Sequence, residues 1–114
     1  PSSLKQVYPM ANQAIISYFK DHGLLLSENQ VSKPAKYHFI ARNRIMAAIS
    51  QVVIVVEAAK KSGALHTAQF ALDAGKNVAA IPGNIFAPLS EGCNRLIAQG
   101  AGLILKPSDV LEFI

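Results

Sequence analysis

The chain has 114 residues, 51% of them apolar and spread along its whole length. That is enough for one small globular domain, not two, and it excludes a disordered chain. Its formal charge of +4 is modest, its single cysteine (Cys93) excludes an internal disulfide framework, and no apolar run approaches the roughly 20 residues of a membrane helix.

In chain order, Tyr8-Pro9 opens the first helical pattern. Ala14, Ile15, Tyr18 and Phe19 form its apolar stripe, and Gly23 stops it. Leu24-Leu25-Leu26 reads as a short buried strand, and residues 29–36 read as a loop. The spacing predicts a helix over 40–50. It leads into residues 52–56, a β-branched run without alternation, as in a strand covered on both faces of a parallel sheet. A loop over 58–62 is followed by a helix over 64–74, ended by Gly75 as a left-handed cap. Residues 78–81 form the next strand, closed by Pro82-Gly83. A loop over 84–90, a helix over 92–99 capped by Gly100, and a strand over 103–105 follow. Pro107-Ser108-Asp109 then starts a terminal helix through Ser or Asp capping.

Strand and helix alternate about four times, which predicts an α/β fold: a mostly parallel sheet flanked by helices, in one domain over 1–114. In such sheets ligands sit outside the carboxyl ends of the strands. Those ends here are Ser27-Glu28, the segment 57–63 and Pro82-Gly83-Asn84.

The charge is unevenly placed. Lys33, Lys36, Arg42, Arg44, Lys60 and Lys61 face only Glu57 between positions 33 and 61. That concentration favours an anionic partner, against the alternative of a solvated lysine surface. In Phe39-Ile40-Ala41-Arg42-Asn43-Arg44 a ring that can stack on a base adjoins two guanidinium groups that can grip phosphate. Lys36, three residues earlier, can pair a phosphate contact with the stacked base. The same ring can instead be a hydrophobic staple, and the arginines can be structural partners of carboxylates. In a helix Arg42 and Arg44 point to nearly opposite sides, so they do different jobs.

Ser62-Gly63-Ala64-Leu65-His66-Thr67-Ala68 follows a strand and opens a helix, where free amides and the helix dipole make an anion site. It is equally the sequence of an ordinary Ser-capped helix. There is no Walker lysine and no G-x-G-x-x-G. His22, His38 and His66 are scattered, and no His, Cys, Asp or Glu set has metal-ligand spacing. Glu57 is the best general-base candidate but lacks a nearby nucleophile, so pairing with an arginine is favoured. Cys93 reads as a small packing residue.

Read together, these segments resemble the DNA-processing protein A family (DprA, also called Smf). The matching pieces are Tyr8-Pro9 with Asn12; Gly23-Leu24-Leu25-Leu26-Ser27-Glu28; Phe39-x-x-Arg42-Asn43-Arg44-Ile45; and Val55-Val56-Glu57-Ala58. They continue with Ser62-Gly63-Ala64-Leu65-x-Thr67-Ala68; Ile81-Pro82-Gly83; Gly92-x-Asn94-x-Leu96-Ile97-x-x-Gly100-Ala101; and Asp109-Val110-Leu111. The resemblance implies a Rossmann-like fold that binds single-stranded DNA without sequence preference. It also implies homodimers and hand-over of the strand to the RecA recombinase in natural transformation, with no catalysis and no cofactor. Its DNA-contacting segment matches Lys36, Phe39 and Arg42, and the turn at Ser62-Gly63 lies on the same edge. The family's earlier glycine-serine-arginine turn has no counterpart here, so the chain is expected to be the second half of such a domain. A bare apolar sheet edge, weak DNA binding and self-association are the corresponding expectations. His66 stands where the family has an aliphatic residue.

The leading expectation is a cytoplasmic, non-enzymatic, single-stranded DNA-binding protein that does not engage membranes. Its candidate DNA contacts are Lys36, Phe39, Arg42, Asn43, Arg44, Ser62, Gly63, Thr67, Pro82 and Gly83. The first residues lack the charged-then-apolar layout of a secretory signal, and a lone thiol suits a reducing compartment. An alternative is a nucleotide or nucleoside-phosphate enzyme or sensor of the lysine-decarboxylase-like Rossmann group. Against it, Pro82-Gly83 is followed by Asn84 and not by a second glycine. A third is an interaction module using the helix 92–99 and the tail 110–114, with Ile97 and Leu103 as dimer-interface candidates or, equally, as residues buried in the monomer.

Overall fold

The computed structural model describes residues 3–5, 9–30 and 33–114. Three strands, β1 (Val52–Val55), β2 (Asn77–Ala80) and β3 (Gly102–Leu103), lie parallel in the order β1-β2-β3. Val52 pairs with Asn77 and Val55 with Ala80, and Ala80 in turn pairs with Leu103. Each crossover is helical, as parallel pairing demands. The β1–β2 crossover is α3 (Gly63–Asp73) and the β2–β3 crossover is α4 (Glu91–Ala98).

The chain divides into two compact units, Pro1–Arg42 and Asn43–Ile114. The first holds a short 3₁₀ turn (Met10–Asn12), helix α1 (Gln13–His22) and the opening of α2 (Lys36–Ile49). The expected start at Tyr8 lies outside the described residues, while Pro9 stands as the residue before the 3₁₀ turn. Helix α1 ends as expected, with Gly23 N–H donating to Phe19 O at 3.0 Å. Its stripe is not buried: Ile15, Tyr18 and Phe19 all face water.

Two expectations in this unit are corrected. Leu24-Leu25-Leu26 forms no strand among the described residues, and Leu24 is 84% exposed. A strand has no hydrogen bonds of its own, so an apolar triplet becomes one only where a neighbour pairs with it. Helix α2 begins at Lys36, four residues before the expected start. The reason is His38. Its buried ring accepts the Ala35 N–H on Nδ1 at 2.9 Å, while His38 N–H donates to Ala35 O at 3.0 Å. The ring bond is one half of a capping box, with imidazole in the place usually taken by Glu or Gln; the other half is absent, because Ala35 has no side-chain acceptor and the His38 N–H meets its backbone carbonyl instead. Since Nδ1 accepts, the ring proton of this tautomer sits on Nε2.

In the second unit α3 packs on β1 and β2, and α4 on β2. The core holds Ala47, Val55, Ala58, Ala68, Ala71, Val78, Ala80 and Cys93, with Leu65, Phe70, Leu96 and Ile97 packed against it. Its residues are small, so helix and sheet backbones approach closely. The burial expected for residues 52–56 is met only at Val55 and is fuller in β2: Val78, Ala79 and Ala80 are buried, whereas Val52 to Ile54 are half-buried and Val56 is 65% exposed. Strand β2 has a neighbour on each side, and β1 pairs on one side only among the described residues.

Both helices end in the same way. Gly75 (φ 67°) and Gly100 (φ 102°) take the left-handed conformation, open to glycine without a Cβ penalty. Lys76 N–H reaches back to Ala71 O and Ala101 N–H to Leu96 O, each at the far end of the last turn. The third strand starts one residue earlier than expected, and the terminal helix is a 3₁₀ helix, Pro107–Phe113.

Candidate nucleic-acid interface

The candidate residues fall into two sets, each described within its own stretch of chain. The first lies on α2. Lys36, Phe39 and Arg42 follow at three-residue steps, each turning about 60° around the helix. They therefore line one flank, with Lys36 and Phe39 exposed and Arg42 half-buried. The Arg42 guanidinium lies 5.9 Å from the centre of the Phe39 ring, a cation–π distance. The expectation of a ring ahead of the helix is thus corrected: Tyr37 and Phe39 are helical residues, and Tyr37 lies against His38 with ring centres 4.0 Å apart. Asn43 is one turn beyond Phe39 and half-buried. Arg44, two positions on from Arg42 in the same helix, is exposed.

The second set follows the carboxyl ends of β1 and β2. These two ends stay in register past the strands, since Ile81 N–H donates to Val55 O at 3.0 Å. Ser62 caps α3: its Oγ accepts the Ala64 N–H at 3.3 Å and its carbonyl accepts the Leu65 N–H at 3.1 Å. Two of the first amides of α3 are therefore already used by Ser62, which serves as the ordinary cap weighed beside an anion site. Gly63 is exposed, and Thr67 is half-buried one turn further along.

Pro82 and Gly83 are exposed at the end of β2. The Gly83 backbone is gripped from both sides by one residue: its N–H donates to Asn94 Oδ1 at 3.0 Å, and Asn94 Nδ2 donates to Gly83 O at 2.9 Å. A side chain at Gly83 would collide with Ser90, so the turn lies flush on the start of α4. The loop after β1 is tied to the same place. Ala58 N–H donates to Leu89 O and Gly92 N–H to Ala58 O, both at 2.8 Å. Lys60 reaches Glu91 at 3.4 Å, an exposed pair of small energetic value.

Glu57 is exposed just past β1. Cys93 is buried, and its Sγ–H donates to Val55 O at 3.4 Å. Burial pushes its thiol above the usual cysteine range, outweighing the Ala58 backbone hydrogen bond. It is a packing residue and not a nucleophile. His66 is exposed on α3, and His22 donates from Nδ1 to Tyr18 O at 3.1 Å. Among the described residues, no three His, Cys, Asp or Glu side chains gather as metal ligands, and no helix is long and apolar enough to cross a membrane.

Of the interface candidates, Ile97 packs against the core, and Leu103 is 44% exposed on β3. Sequence reasoning missed three residues that shape these surfaces. They are His38 as a helix cap, Asn94 as the clamp on Gly83, and Phe86, a ring 87% exposed in the loop after Gly83. The signal for the last was available, since Phe86 stands between two turn segments and outside any apolar periodicity.

Comparison with known proteins adds a family. A family model described as DNA recombination-mediator protein A matches residues 1–114. The chain is 44% identical over 111 residues to the DNA processing protein DprA of Streptococcus pneumoniae, covering 96% of this chain and 39% of that protein. It is 42% identical over 109 residues to DprA of Bacillus subtilis, covering 95% of this chain and 37% of that one. A solved structure of DNA processing protein A from Helicobacter pylori, described for its single-stranded DNA binding mode, superposes with a TM-score of 0.80. It has 34% identity and covers 96% of this chain and 51% of that chain. The chain thus spans about two fifths of the length of these two DprA relatives.

Proposed function

Because the chain belongs to the DNA recombination-mediator protein A family, we propose that it binds single-stranded DNA without sequence preference. The observation that carries this reading is the α2 flank, where the Arg42 guanidinium and the Phe39 ring lie 5.9 Å apart, with Lys36 one turn before. A base stacks on the ring while the two cations take the neighbouring phosphates. Asn43 and Arg44 add contacts further along α2. Ser62, Gly63, Thr67, Pro82 and Gly83 supply a second set at the carboxyl ends of β1 and β2.

The wider reading is a non-catalytic part in natural transformation: cytoplasmic, dimeric through Leu103 and Ile97, and passing the strand to the RecA recombinase. Family membership supports it. The alternative, a nucleotide enzyme or sensor, is decided by the same experiment.

That experiment titrates the chain with an oligonucleotide of about ten bases and with mononucleotides, over a range of salt. Affinity is expected to grow with length and to fall with salt at a log–log slope of about −0.7 per phosphate neutralised. Lys36→Ala and Arg42→Ala should each flatten that slope. Mononucleotide binding as tight as the oligonucleotide's would favour the alternative, and parental slopes in both variants would remove the α2 assignment.

A further inference from the structure

The loop after β2 presents two large apolar side chains to water: Ile85 is 81% exposed and Phe86 87%. An aromatic ring left in solvent is ordinarily mobile, but the backbone beneath this one is held. Asn84 Oδ1 accepts the Phe86 N–H at 2.8 Å, and Asn84 O accepts the Ala87 N–H at 3.0 Å. Ala87 O accepts the Ser90 N–H at 2.9 Å. Upstream, Asn94 clamps Gly83 with two bonds; downstream, Leu89 O holds Ala58. The ring therefore stands on a loop ordered by folding, and a ligand that covers it has little backbone left to order.

We propose that Phe86 is a base-stacking platform for single-stranded nucleic acid at the carboxyl edge of the sheet. The proposal rests on the single-stranded DNA reading of this chain and extends it to a second ring. The occupant follows from that reading: Phe86 stands three residues past Gly83, the last of the second set of DNA-contact candidates at this edge. Segments 57–63 and 81–90, which form this edge, contain Lys60 and Lys61 and one carboxylate, the exposed Glu57. Glu91, at the border, is already paired with Lys60. The exposed start of α3 at Gly63 follows the same edge. Ring and neighbouring lysine together suit a base followed by its phosphate.

The chain contains no tryptophan, so Phe86→Trp installs a single emission reporter at this position. On titration with oligothymidylate, its emission should be quenched in step with binding. Phe86→Ala should weaken binding by roughly 5- to 100-fold, the effect of losing one stacked base. Its log–log salt slope should match the parent's, because a neutral ring releases no counterions. Unchanged affinity in Phe86→Ala, with no quenching in Phe86→Trp, would overturn the proposal while leaving the single-stranded DNA reading in place. A change in solution mass with parental affinity would also overturn it, assigning the ring to a protein contact. If the parent chain binds no oligonucleotide, both readings fall.

Discussion

Asn94 sets the shape of a loop that lies eleven residues before it. Its amide oxygen accepts the Gly83 N–H and its amide nitrogen donates to the Gly83 carbonyl. Each bond is worth about 1 kcal/mol or less at this half-exposed position. Asn94→Ala should therefore lower the urea midpoint modestly and speed amide exchange at Gly83 and Phe86. Asn94→Asp keeps the acceptor for Gly83 N–H and should protect that amide partly. Parental exchange at Gly83 in the alanine variant would show that the clamp does not hold the loop. Residues of this kind divide by how far their partners lie along the chain. Ser62 was legible as a cap because its partner, Ala64 N–H, is two residues away. Nothing local marks Asn94, since the carbonyl it meets is delivered by the fold. His38 was illegible for another reason: its partner is three residues away, but imidazole is not the side chain that marks helix starts.

Among the elements, those with chemical punctuation were read well. The Gly75 and Gly100 ends of α3 and α4 fall where left-handed glycines were expected, each with the paired backward bonds of a glycine-terminated helix. Asp109 is the corresponding start signal. Its Oδ2 accepts the Leu105 N–H at 2.9 Å and the Lys106 N–H at 3.0 Å, and its own N–H donates to Lys106 O at 3.0 Å. The Leu105 and then the Lys106 amide hold its carboxyl below the ordinary carboxylate range. A lowered folded value means the turn is strengthened above the unfolded value of about 3.9 and loses that support as pH falls through the folded one. In an acid titration followed by NMR, the Leu105 and Lys106 amide shifts should move together with a midpoint below about 3.9. A midpoint at or above that value, or no shared movement, would contradict the cap. Leu24-Leu25-Leu26 shows the opposite case: apolarity without a pairing partner did not make a strand.

For the whole molecule, the sheet order places β3 at an edge among the described residues, with Leu103 facing outward. An exposed strand edge with an apolar side chain invites a second chain. Leu103→Glu should therefore convert a self-associated chain to monomers in light scattering, with little loss of stability. Ile97 is the poorer handle, because charging a side chain packed on the core would also damage the fold. An unchanged mass would place self-association elsewhere. The alternation of β-branched runs, helical stripes and glycine stops was enough to read an α/β parallel sheet and the turns at Ser62 and Pro82, because these signals act over a few residues of chain. Which strand lies in the middle, where α2 starts, and that Phe86 is left bare on a fixed loop came from three dimensions. Each depends on a hydrogen bond, a neighbour or a covering surface brought from a part of the chain that local pattern does not mark.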